Sequence, residues 1–317
     1  MKKKDFSLLL AQIGTLTARQ KRQLTTELSE AQSVQQPAVI IDEEFSAKPV
    51  CPTCSSEAVH KWGKVSGLQR YRCKECERTF NALTGTSMAR LRKKDLWLEY
   101  SHALSESLSL TKAADHCGID RTTAFRWRHR FLPGSGRQNG QCTGITEIDE
   151  TYFRESFKGK KVLHRNARKR GELHVRGISA EQIPVVVARD RAGRTHDAVL
   201  QERSSQEVGL RLGAHISSDS LLCMEQSGIL IKFAKTTGLA FETIGTKRRR
   251  GRERIFHVQS VNSYHSRLKN WMRRFNGVAT ERLPNYLDWR RLQEQSLATP
   301  QEWLRAMLQG KIHTKRN

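Results

Sequence analysis

The chain has 317 residues, 37% of them hydrophobic, which is enough for two or three packed units and too much for one small core. Lysine and arginine total 56 against 32 acidic residues, a formal net charge of +24, so a polyanion is the expected partner, with nucleic acid well ahead of an anionic membrane. No stretch approaches the roughly 18 consecutive apolar residues of a spanning helix, and the expectation is a soluble, cytoplasmic and nucleoid-associated protein.

Taken in chain order, residues 16–32 carry Leu16, Leu24 and Leu28 at about helical spacing behind Thr17, a residue suited to an N-cap, and predict a short amphipathic helix. Residues 35–50, with Pro37 and Pro49 bracketing an apolar run, read as a connector. Cys51-Pro-Thr-Cys54 and Cys73-Lys-Glu-Cys76 follow, eighteen residues apart. Each pair can present two thiolates from one tight turn, and the spacing is that of a structural four-cysteine zinc site. Gly63 and Gly67 between the pairs suit a hairpin. Seven cysteines in all, with Cys117, Cys142 and Cys223 isolated, fit metal binding in a reducing compartment better than disulfides. Four thiolates leave no open position for water, so this zinc organises a fold and performs no chemistry.

Residues 91–108 predict an amphipathic helix. Residues 110–127 then suit two short helices about a turn at Gly118, with Ala114 at the crossing and Ile119, Ala124 and Trp127 in the shared core. The second helix carries Arg121, Thr122, Thr123, Arg126 and Arg128, residue types that reach base edges and phosphates in a major groove. The same pattern also suits an ordinary helical hairpin with a solvated basic face; the charge of the whole chain favours a helix-turn-helix bound to double-stranded DNA.

Glycine and small polar residues from Pro133 to Gly140 predict a flexible linker. Beyond it strands are expected at 144–153, 184–189 and 220–224 and helices at 205–214, 228–237 and 262–275, an alternation that argues for an α/β layer structure. In the first of these strands Glu147 and Asp149 share one side and Ile148 the other. An acid on a central strand is costly unless it holds a metal, whereas an edge strand with a wet face would carry it at no cost.

Several blocks resemble bacterial insertion-sequence transposases related to the eukaryotic Merlin elements: Ile148-Asp-Glu-Thr-Tyr-Phe153, Phe157-Lys-Gly-Lys160, Arg168-Lys-Arg-Gly171, the run from His257 to Lys269, and Phe275-Asn-Gly-Val-Ala-Thr280. The resemblance extends from about Cys51 to Leu292. It implies an RNase H-like domain whose acidic triad holds two Mg²⁺ or Mn²⁺ ions, with Asn commonly third and a Lys seven residues later. Asp149 matches the first position, Asn262 the third, and Lys269 lies two helical turns on, hence on the same helix face. The middle position departs from the pattern: Cys223-Met-Glu225-Gln stands where Cys-Thr-Asp-Gly is usual, so Glu225 replaces the expected Asp, one methylene longer. Asp219 is a nearby acid that offers an alternative. The basic runs 158–170 and Lys247, Arg248, Arg249, Arg250 and Arg252 are expected to lie on phosphate backbones.

The expected organisation is multidomain: a helix and connector (1–48), a small β zinc ribbon (49–86), an α-helical helix-turn-helix (87–132), a linker (133–143), an α/β RNase H-like catalytic domain (144–292) and a basic tail (293–317). The expected function is a transposase that binds terminal inverted repeats and cuts and joins DNA, as a homo-oligomer on DNA and without a membrane. The rival is a catalytically impaired relic that only binds DNA. A zinc-ribbon protein acting on RNA would leave the α/β layout and the matched blocks unexplained.

Overall fold

The computed structural model describes residues 3–24, 37–136, 140–161, 163, 179, 181–245 and 255–309. The chain divides into two compact units, one formed by residues 1–82 with 93–98, the other by 83–92 with 99–317. The basic run 247–252, most of the run 158–170 and part of the predicted helix 16–32 lie outside the described residues. Among the described residues no helix is long and apolar enough to cross a membrane.

The first unit begins with α1 (Lys3–Ile13), followed by helical residues 18–24. Residues 37–46 correct the expected connector: they form α2 (Pro37–Ser46), because Ile40, Ile41 and Phe45 fall on one helical face and find an apolar surface to cover. That surface belongs to a three-stranded antiparallel sheet, β1 (Val59–Val65), β2 (Leu68–Cys73) and β3 (Thr79–Asn81), in the order β1-β2-β3. Phe45 meets the rings of Tyr71 and Phe80, whose centroids are 5.8 Å apart, and Asp42 accepts the Gln69 amide at 3.0 Å. The hairpin turn needs Gly67, whose φ of 79° lies in the left-handed region.

In the second unit, three helices come first: α3 (Trp97–Ser105), whose first two residues belong to the other unit, α4 (Leu110–Cys117) and α5 (Arg121–Phe131). The Ser109 hydroxyl caps α4 by accepting the Lys112 amide, and Gly118, at φ 60°, ends it. Ala113, Ala114, Ala124 and Trp127 are buried, and the Tyr100 hydroxyl donates to the Ala124 carbonyl at 2.5 Å. Residues 133–136, expected to open a flexible linker, are instead pinned: Gly134 donates to Asp288, Arg291 donates to the Gly136 carbonyl, and a Cβ at Gly136 would overlap the Asp288 backbone.

The remaining elements are β4 (Ile145–Arg154), β5 (Gln182–Asp190), β6 (Thr195–Val199), α6 (Ser205–Leu212), β7 (Leu221–Glu225), α7 (Gly228–Thr237), β8 (Ala240–Ile244), α8 (Gln259–Arg273), α9 (Leu283–Gln293) and α10 (Pro300–Gln309). The tail expected from residue 293 onward therefore holds a helix, whose Trp303, Leu304, Met307 and Leu308 are buried at helical spacing. The sheet runs β6-β5-β4-β7-β8; β4, β5 and β6 are antiparallel neighbours, while β4, β7 and β8 are parallel. One face of this sheet, through Ile148, Val186, Ala188, Leu222 and Met224, builds a core with Val208 and Leu212 of α6 and Leu230 and Phe233 of α7. The other face, by the two-residue period of a strand, carries Glu147, Asp149, Val187, Cys223 and Glu225. Helix α8 packs against β4 and β5 on that second face.

Candidate functional site: a four-thiol cluster and a paired-carboxylate centre

In the first unit the two Cys-x-x-Cys turns meet. The sulfurs of Cys51, Cys54, Cys73 and Cys76 all lie within 4.8 Å of one another, with Cys51–Cys76 at 3.6 Å and Cys54–Cys73 at 3.5 Å. A tetrahedral zinc with thiolate bonds requires sulfurs about 3.8 Å apart, so the donor set and its spacing fit one ion. None of the four is in a disulfide. The backbone favours ionisation of two of them. Burial opposes ionisation of Cys51, but the Cys54 and Thr53 amides outweigh it and lower its pKa; the Cys76 and Glu75 amides bring Cys73 down to about 6. The Ser56 amide favours the Cys54 thiolate, yet burial and the neighbouring thiols push Cys54 up to about 12. A divalent ion relieves that crowding by replacing the shared protons.

In the second unit the parallel register of β4 and β7 sets Ile145 beside Leu221, Thr146 beside Leu222 and Glu147 beside Cys223. Carried two residues further, it brings Glu225 next to Asp149, on the same face. Burial, and then the charges of Glu225 and Glu150, push the Asp149 carboxyl up from 3.8 to about 6, while Lys269 pulls it down. The α8 side of this site is the helix face bearing Asn262, His265 and Lys269 at positions i, i+3 and i+7. His265 Nδ1 stands 3.7 Å from Asp149 Oδ2; burial and then Lys269 hold its pKa down at about 4, so it faces Asp149 as a neutral ring. Asn262 and Lys269 are exposed. Asn262 is the fourth residue of α8, whose N-cap is Val258, so the N-cap role that Asn would also have suited is not the one it plays.

Asp219 lies in the turn before β7, at the opposite end of that strand from Glu225, and is not among the groups that shift Asp149. Among the described residues the cysteines are the one set of three or more Cys, His, Asp or Glu side chains gathered tightly enough to enclose an ion. A metal at Asp149 would accordingly draw on two carboxylates and on neutral or external oxygens.

On α5, Arg121, Thr122 and Arg126 are exposed and Thr123 is half-buried, with Phe125 exposed between them. Arg128 corrects the sequence expectation. It is buried, its Nη2 donates to the Leu108 carbonyl at 2.7 Å, and its guanidinium lies 4.8 Å from the Trp289 ring and 5.7 Å from Phe275. It shares a helix face with the buried Ala124 and Phe131, where ring faces and a carbonyl stand in for water.

Sequence reasoning missed His265 as a neighbour of Asp149 and did not assign a role to Glu147. The alternation in β4 had put Glu147 on the correct face; its partners, Arg191, His257 and Val261, come from segments 44 to 114 residues away, which no local pattern reveals.

Residues 141–291 match the family described as the ISXO2-like transposase domain, a span that includes both carboxylates and all of α8. A protein of Halobacterium salinarum, described as an uncharacterized protein in transposable element ISH50, is 30% identical over 279 residues, covering 82% of this chain and 90% of that one. The unit that carries the carboxylate pair is thus a transposase domain. The chain belongs to the ISXO2-like family of insertion-sequence transposases, and membership implies an enzyme that transposes DNA.

Proposed function

We propose that the chain is a divalent-metal-dependent DNA strand transferase with an RNase H-like catalytic domain, acting on the ends of its own insertion sequence. The observation that carries this reading is the placement of Asp149 and Glu225 side by side on parallel strands, under a helix face that bears Asn262 and Lys269. A carboxylate with a raised pKa next to a second acid is a group that a cation stabilises. Asp149 and Glu225 would hold the ions and Asn262 would add a neutral oxygen. When bound, two Mg²⁺ or Mn²⁺ ions activate a water or a 3′-hydroxyl and stabilise the leaving oxygen in attack at phosphorus.

The protein's own side chains do the rest. Glu225 ends β7 and is exposed, so its extra methylene has room to fold back toward Asp149, which supports an active enzyme despite the missing Asp. Lys269, two turns beyond Asn262, offsets part of the charge at Asp149 and would bind a phosphate beside the scissile bond. His265 stays neutral and fills the wall against Asp149. Arg121, Thr122 and Arg126 form the exposed face with which α5 would enter a major groove, with Thr123 at its edge and Arg128 excluded. Lys247, Arg248, Arg249, Arg250 and Arg252 would add backbone contacts, and zinc would hold the cysteine ribbon.

The test is cleavage of labelled element-end DNA in Mg²⁺ or Mn²⁺. Cutting by the native chain that Asp149→Ala abolishes supports the enzyme. End binding without cutting, with activity recovered in Glu225→Asp, would identify a defective copy that retains only DNA recognition.

A further inference from the structure

Helix α8 has only a partial local cap: its N-cap residue, Val258, offers no side-chain acceptor, and His257 Nδ1 takes the Gln259 amide at 3.3 Å. The acceptor for the third amide comes from the sheet. Glu147 Oε2, on a side chain fully buried in the central strand, accepts the Val261 amide at 2.9 Å, the third-position amide that a capping side chain would normally satisfy. Its other oxygen forms an ion pair with Arg191 Nη1 at 2.6 Å and lies 3.2 Å from His257 Nδ1. Arg191, in the turn between β5 and β6, also donates to His257 at 2.7 Å and to the Ile255 carbonyl at 2.8 Å. One carboxylate therefore fastens the chain entering α8, the first turn of α8 and the β5–β6 turn to the strand that carries Asp149 two residues on.

We propose that Glu147 is a positioning residue of the transposase centre, a cap supplied from β4 that sets where Asn262, His265 and Lys269 stand over Asp149. The amide after the one it binds is that of Asn262, so the reach of this clamp and the placement of the third ligand are nearly the same quantity. A carboxylate also complements the positive end of the helix dipole. Burying a carboxylate is costly if its only gain is helix stability, since side chains next to the helix start can cap it without one. A cap rooted in the sheet does what a local cap cannot: it fixes the helix relative to the strand. The proposal rests on the reading of Asp149, Glu225 and Asn262 as a divalent-metal site.

That distinction gives the experiment. Full-length zinc-loaded protein is prepared as the wild type, Glu147→Gln, Glu147→Leu, and Glu147→Leu with Val258→Ser. Each is measured for thermal unfolding, for Mn²⁺ binding, and for the Mn²⁺ concentration that half-saturates cleavage of element-end DNA. Loss of an outer partner of a metal site raises the half-saturating concentration about tenfold or more. The expected result is that rise in Glu147→Gln and Glu147→Leu. Val258→Ser adds a local acceptor at the cost of a buried valine, and whatever its effect on the unfolding temperature the metal requirement stays high. Recovery of the wild-type metal requirement by Val258→Ser, or wild-type Mn²⁺ behaviour in Glu147→Gln, would overturn the positioning role while leaving the metal site intact. Absence of Mn²⁺ binding that depends on Asp149 in the wild type would instead remove the metal reading itself, and the proposal with it.

Discussion

Replacing Asp149 with Asn should make the metal-free protein more stable while removing its response to metal. In the folded chain the Asp149 carboxyl titrates at about 6 against 3.8 in a model peptide, because it is buried and faces Glu225 and Glu150. The folded state therefore binds the extra proton, and stability falls as pH rises through the interval between those two values. The shift corresponds to about 3 kcal/mol in favour of the neutral group once both states are ionised. Asn keeps the shape and the acceptor for the Glu150 amide and removes the charge. At pH 8, without Mg²⁺ or Mn²⁺, calorimetry of the zinc-loaded protein should show Asp149→Asn melting about 6–10 °C above wild type. At pH 5 the folded carboxyl is largely protonated while the unfolded chain is still ionised, so the gap should shrink to about half; it closes only below about pH 4. Adding Mn²⁺ at pH 8 should raise the wild-type melting temperature and leave that of the variant unchanged. A variant that melts below wild type at pH 8, or a gap of the same size at both pH values, would refute the assignment of Asp149 as a carboxylate held under strain for a cation.

Further outcomes follow from other parts of the molecule. A strong chelator, or Cys73→Ser, should unfold the β1–β3 ribbon, seen as loss of amide-exchange protection in residues 59–81, because Tyr71 and Phe80 form too small a core to stand without the metal. Arg128→Met should lower stability by about 2–4 kcal/mol, since the side chain spans two rings and a carbonyl, and should leave the salt dependence of DNA binding unchanged. Arg126→Ala should do the reverse, reducing the salt slope of end binding by about one with little effect on melting. Gly136→Ala should destabilise the second unit measurably in urea, because the added methyl meets the Asp288 backbone and neither chain can yield without breaking the Gly134–Asp288 bond.

Much of the centre was legible before any tertiary contact was known. Strand β4 and helices α6 and α7 fall within a few residues of their expected limits, since each depends on a period read within its own segment. Strands β6 and β8 went unread: Thr195–Val199 and Ala240–Ile244 are five residues each and do not alternate clearly. Helix α2 was mistaken for a connector because Pro37, which suits a helix start as well as a turn, was given the second meaning.

The sequence by itself determined the pieces whose logic is local: four cysteines in two tight turns, carboxylates on alternate positions of one strand, and Asn262 and Lys269 on one helix face. Which of those pieces meet was decided only by the tertiary structure. The parallel pairing of β4 with β7 sets Glu225 on the same face as Asp149, 76 residues away in sequence, Glu147 bonds an amide of a helix 114 residues downstream, and Arg128 turns inward because Trp289 and Phe275 cover it. Periodicity is a property of a segment and can be read there, whereas a register or a buried ion pair belongs to two segments at once and exists only when the chain has closed between them.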